Sequence, residues 1–100
     1  MSKLCGAASD VSDANDEVHA IVKEIQSELE SKANKSFPVF KAISFRSQVV
    51  AGTNFFVKIQ VGDKEYLHAR IFRPLPHTNK GPEVHSYLLN KSNEDKLEYF

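Results

Sequence analysis

The sequence predicts an α+β domain in which a four-stranded antiparallel sheet packs on one long N-terminal helix. Three observations carry that prediction. Apolar residues recur at helical spacings between Asp13 and Ala33, the pattern turns to alternation after Lys35, and the connections beyond that point are short, with no second helix among them.

The first dozen residues, 1–12, are small and polar apart from Leu4 and Val11, and they read as a flexible tail ahead of a single domain spanning 1–100. From Asp13 to about Ala33, Val18, Ile21, Val22, Ile25 and Leu29 form one apolar stripe on an amphipathic helix. Asp13 is placed to cap its start, Asp16 and Glu17 suit the positive end of the helix dipole, and Lys32 and Asn34 suit the other end. Lys23, Glu24, Glu28 and Glu30 read as the solvated face.

Beyond Lys35 the residues Phe37, Val39, Ile43 and Phe45 share one parity and predict a first strand. Phe55, Val57, Ile59 and Val61 predict a second, and Leu67, Ala69 and Ile71 a third. Gly62-Asp63-Lys64 turns the chain between the second and third. Pro74-Leu75-Pro76-His77 breaks the third before a further strand over Val84 to Lys91. The helix stripe covers one sheet face, and Lys58, Gln60, His68 and Arg70 on the other are expected to meet water, although Phe40, Phe56, Tyr66 and Phe72 make that face partly apolar.

At 100 residues the chain suits one core. Acidic and basic residues balance at 13 each, which gives no field for gathering nucleic acid or for holding an anionic membrane. No stretch approaches the roughly 20 apolar residues of a membrane-spanning helix. A single cysteine, Cys5, excludes an internal disulfide, and no signal segment precedes it, so the expected setting is cytoplasmic and reducing, the nucleus included.

The connection Gln48-Val49-Val50-Ala51-Gly52 is unusual. It places two β-branched residues and no charge where Asn-Gly or Asp-Gly would be ordinary hairpin chemistry. Two readings are open: Ala-Gly turns the chain after a buried strand, or an apolar tip is held in water as a binding site. In an antiparallel meander this tip falls at the same end of the sheet as Leu75-Pro76-His77, and Leu4-Cys5-Gly6 can reach that end as well. Three uncharged segments then form one convex edge, the shape of something that enters a cleft rather than of a pocket.

The motif Gln48-x-Val50-x-Gly52, Gly6 in the tail, the pair Leu75-Pro76, the runs Phe37-Pro38-Val39-Phe40 and Gly52-Thr53-Asn54-Phe55, and Leu97-Glu98-Tyr99-Phe100 resemble the cystatins, and within them the type 1 branch, the stefins. The likeness covers essentially the entire chain. It implies the cystatin fold, an antiparallel sheet of four to five strands wrapped around the one long N-terminal helix, and reversible inhibition of papain-like cysteine proteases, among them papain and cathepsins L, S, H and B. In that family a tail and two hairpin loops fill the active-site cleft as a wedge. Carried across, Leu4, Cys5 and Gly6 occupy the non-primed side, Gln48, Val49, Val50, Ala51 and Gly52 the centre, and Leu75, Pro76 and His77 the primed side. Small Ala51 and Gly52 permit close approach to the cleft wall, the valines add stiff apolar surface, and Gln48 is a candidate for holding the hairpin's shape. Type 2 relatives carry a tryptophan after the proline of the second loop. Here His77 stands in its place, which shifts weight to the tail and the first loop.

Other chemistries find no support. A catalytic cysteine needs a histidine held beside it on a rigid scaffold, and Cys5 sits in the tail, so an enzyme is not expected. His19, His68, His77 and His85 offer no helical ligand pair and read as ordinary surface or edge histidines, so neither metal nor other cofactor is expected. The active form is expected to be a monomer. The alternative function is self-association: Gln48-Val49-Val50 has strand propensity, and straightening this turn would produce a domain-swapped dimer, a state for which stefins are known. Cys5 reads as a neutral tail residue, with oxidative joining of two chains as the alternative.

Overall fold

The computed structural model describes residues 9–98 and residue 100. One helix, α1 (Asp16–Ala33), packs on a five-stranded antiparallel sheet built from β1 (Ser12–Asp13), β2 (Lys41–Val50), β3 (Gly52–Gln60), β4 (Tyr66–Arg73) and β5 (Glu83–Lys91). The strands lie in sequence order, so the sheet is a meander, and a short 3-10 turn, Pro76–Thr78, sits in the β4–β5 connection.

The apolar stripe of α1 is buried at all five expected positions, Val18, Ile21, Val22, Ile25 and Leu29. Each such side chain contributes roughly 1.5–3 kcal/mol relative to exposure. Opposite them lie Phe55, Val57, Ile59, Leu67, Ala69, Ile71 and Val84. The start of the helix differs from expectation: Asp13 belongs to β1, and the cap is Asn15, whose Oδ1 accepts from the Val18 amide at 2.9 Å. An Asx side chain two residues nearer the first turn reaches the free N–H groups directly. Asn34 ends the helix in the left-handed conformation, as anticipated.

Two helix acids expected on a solvated face instead tie down strand approaches. Glu30 Oε2 accepts from the Phe37 amide at 3.0 Å, and Glu28 Oε1 accepts from the Val84 amide at 3.2 Å. The first strand begins at Lys41 rather than at Phe37, and a bulge between Ala42 and Ser44 shifts its parity. Ala42 therefore faces the helix with Phe45, and Ile43 drops out of the alternation. The bulge is used: the Ala14 amide donates to the Ile43 carbonyl at 3.0 Å, anchoring the chain just before α1.

The far face of the sheet is not left to water. Residues 92–98 and Phe100 lie across it, with Leu97 buried and the Phe100 ring edge-on to fully buried Phe56 at 5.8 Å. Three cations hold this strap by its main-chain oxygens: Lys58 Nζ donates to Asn93 O and Asp95 O, both at 2.7 Å, Arg46 Nη1 to Leu97 O at 2.9 Å, and Arg70 Nη1 to Phe100 O at 2.9 Å. Lys58 and His68, expected to meet solvent, are buried as a result. Phe56, one of the aromatics expected on this face, is thus covered by the chain's own C-terminal segment, whereas Phe40, expected beside it, stacks on Phe37 and packs against the helix-side core.

Candidate functional site

The β2–β3 hairpin closes at its tip with Val50 opposite Gly52 and Ala51 alone between them. Gly52 has φ +123°, a conformation side chains of L-residues rarely adopt. A Cβ there would lie 2.7 Å from the Arg73 carbonyl oxygen and 2.8 Å from Phe72 Cζ. The glycine is thus demanded by the packing of the tip on the end of β4, a need that exists before any partner approaches.

Below the tip the hairpin is locked. Gln48 is only 7% exposed, and its Oε1 accepts from Asn54 Nδ2 at 2.9 Å, directly across the two strands. Above this pair Val49 is 69% exposed and Val50 42% exposed. Both readings of the turn meet here: glycine turns the chain, and the valines are nevertheless held in water.

The β4–β5 connection lies beside the tip. Thr53 pairs with Arg73 at the end of the β3–β4 ladder, so Pro74 onward emerges at the same end of the sheet. Leu75 is 40% exposed, and Pro76 and His77 are exposed in the 3-10 turn. The turn is stapled by Thr78, whose Oγ1 and amide both donate to the Leu75 carbonyl, at 2.8 and 3.1 Å. Asn79 closes it in the left-handed conformation. A depression of about 350 Å³ separates the two loops, lined by Ala51 from one and Leu75 from the other, with Phe72 at its wall. The edge is therefore notched rather than uniformly convex.

Phe72 supports this region from beneath. Its ring abuts Gly52 and stacks on His85 at 5.2 Å, while His85 Nε2 pairs with Glu83 Oε1 at 2.9 Å. Arg73 adds a second brace, pairing with Glu17 in the first turn of α1 and lying over the Phe55 ring at 5.0 Å. Sequence reasoning missed both supports, since neither residue is marked by any motif.

Leu4, Cys5 and Gly6 lie outside the described residues. Residues 9–12, assigned to the tail, lie along β2 instead: Ser9 donates its amide to Ser47 O at 2.7 Å, its Oγ accepts from the Ser47 amide at 3.0 Å, and Ser12 pairs with Phe45. Ser47 lies three residues before the end of β2, so the chain enters the described structure at the tip end of the sheet. Among the described residues no cluster of histidine, cysteine or acid side chains could hold a metal ion, and no helix is long and apolar enough to cross a membrane.

Comparison with known proteins agrees with this architecture. Residues 6–95 match the Cystatin domain. Cystatin-B of Macaca fuscata fuscata is 52% identical over 97 residues, covering 97% of this chain and 99% of its own. Human cystatin-B is 50% identical over the same length and coverage. Stefin-C of Bos taurus is 50% identical over 95 residues, covering 95% of this chain and 94% of its own. With one helix against a five-stranded meander, a Gln-x-Val-x-Gly tip and relatives matching nearly end to end, the chain belongs to the cystatin family of cysteine protease inhibitors, in its type 1 or stefin branch.

Proposed function

We propose that the edge formed by Val49, Val50 and Ala51 on one loop and Leu75, Pro76 and His77 on the other reversibly plugs the active-site cleft of papain-like cysteine proteases, papain and cathepsins L, S, H and B among them. Leu4, Cys5 and Gly6 complete the contact on the non-primed side. The observation that carries this reading is Val49, an apolar side chain 69% exposed on a tip held rigid by the buried Gln48–Asn54 pair. A protein that spends rigidity on presenting a valine to water gains from it only when something apolar covers that valine. Gln48 and Gly52 act from beneath in this scheme: they shape the tip, while Val49, Val50 and Ala51 touch the enzyme.

Inhibition without cleavage follows from geometry. Peptide hydrolysis needs a carbonyl held near attack distance and aligned with the nucleophile, and a closed hairpin tip crossing the cleft presents none. The working form is a cytoplasmic monomer. Titration of active papain tests the proposal with wild-type, Val49→Asp and Leu75→Asp chains. Wild type should inhibit, and both variants should inhibit at least about tenfold more weakly at unchanged stability, since each forces an unpaired carboxylate into a desolvated contact. Wild-type protein that leaves papain active at excess refutes the assignment.

A second state draws on the same hairpin. Only Ala51 separates two long paired strands, and the residues before it are β-branched, so straightening this point would join β2 and β3 into one strand and exchange them between two chains. Such a dimer has no tip, so size-separated dimer should fail to inhibit where monomer succeeds.

A further inference from the structure

Arg46 stands in β2 two residues before Gln48 and opposite Phe56, on the strap side of the sheet. Its Nε donates to the Ser9 carbonyl at 2.8 Å and its Nη1 to the Leu97 carbonyl at 2.9 Å. One guanidinium thus joins the segment that enters beside the tip to the segment that covers the far face. Ser9 is gripped from both sides by this bond and its two bonds to Ser47. The next pairing along the chain is Ser12 with Phe45.

We propose that Arg46 is a positioning residue for the inhibitory edge: it fixes where the N-terminal segment meets the sheet beside the Val49–Ala51 tip, and it couples that point to the C-terminal strap. This rests on the reading of Leu4, Cys5 and Gly6 as protease contacts. The physical reason is entropic. Every residue released from the edge of β2 must be ordered again when the tail docks, and that cost is subtracted from binding. Arginine suits the task because its planar fork sends two donors to two different carbonyls in a fixed geometry, which the single ammonium of lysine does not reproduce.

Inhibition constants of full-length chains against papain test the assignment in a double-substitution cycle of Arg46→Ala with Leu4→Ala, with Arg46→Lys alongside and thermal unfolding of each chain recorded. Arg46→Ala and Arg46→Lys should each weaken inhibition about fivefold, the order expected for re-ordering a single residue. Leu4→Ala should also weaken it, and in the Leu4→Ala background the Arg46 substitutions should then change inhibition less than about twofold, because the tail they position no longer contributes. A residue that only stabilised the fold would give the same loss in both backgrounds. Should Arg46→Ala unfold, Arg46→Lys carries the same cycle. Additive losses, or a Leu4→Ala chain that inhibits as well as wild type, overturn the role of Arg46 while leaving the two-loop wedge standing; a wild-type chain that does not inhibit papain overturns both.

Discussion

The backbone of Gly52 and the carbonyl of Arg73 approach so closely that a Cβ at position 52 would come within 2.7 Å of that oxygen. The contact is between main chains, so no side-chain rotation relieves it. It joins the tip of the first hairpin to the start of the second loop, and it makes the relative position of the two loops a property of the fold.

Gly52→Ala should therefore lower stability by about 2–4 kcal/mol, combining the strain of a positive φ with overpacking. Urea denaturation checks this. An unchanged midpoint together with weakened inhibition would show that the glycine serves the protease and not the hairpin.

Gln48 and Asn54 form one buried unit. Removing either side chain breaks the bond from Asn54 Nδ2 to Gln48 Oε1 inside the protein, at about 1–3 kcal/mol each. The double variant Gln48→Ala with Asn54→Ala should cost clearly less than the sum, and a denaturation cycle that finds simple additivity would dissolve the pair.

His68 carries a pH signature. Burial lowers its pKa from 6.5 to about 4, with Lys58 and Lys91 adding repulsion and Asp95 opposing. The unfolded chain then binds a proton between about pH 6.5 and pH 4 that the folded chain refuses. Stability from this group is complete above pH 6.5 and is lost as pH falls toward 4, with a slope of up to about 1.4 kcal/mol per pH unit. His68→Phe should flatten the stability curve across that window relative to wild type, as measured by denaturant titrations at stepped pH. Parallel curves would mean that His68 titrates normally.

Lys58 links that histidine to the strap. Lys58→Met removes both bonds to Asn93 O and Asp95 O and one of the repulsive charges, so the His68 pKa should rise while the C-terminal segment loosens. Nuclear magnetic resonance titration of the imidazole reads the first effect. Faster amide exchange at residues 93–97 reads the second, and a fixed pKa with an intact strap would contradict the linkage.

Much of this was legible beforehand. The helix stripe, the four long strands and the juxtaposition of the tip with Leu75-Pro76 follow from periodicity and meander geometry, because side-chain spacing and chain reversal are local properties. The bulge at Ile43 was not legible, since one inserted residue leaves the apolar composition intact while reversing which side chains face the helix. Glu28 and Glu30 read as solvated because their partners, the amides of Val84 and Phe37, are main-chain groups that carry no sequence mark.

The sequence by itself determined an α+β meander, an apolar hairpin tip and the family to which both belong, since each rests on spacing or on a contiguous motif. Only the tertiary structure decided why the tip has its residues. Gly52 is required by the Arg73 carbonyl, Gln48 by Asn54, and Lys58 and Arg46 by oxygens of a segment some 35 to 51 residues away. Close approach of main chains and donation to carbonyl oxygens involve groups that every residue possesses. They acquire an address only when the chain has folded.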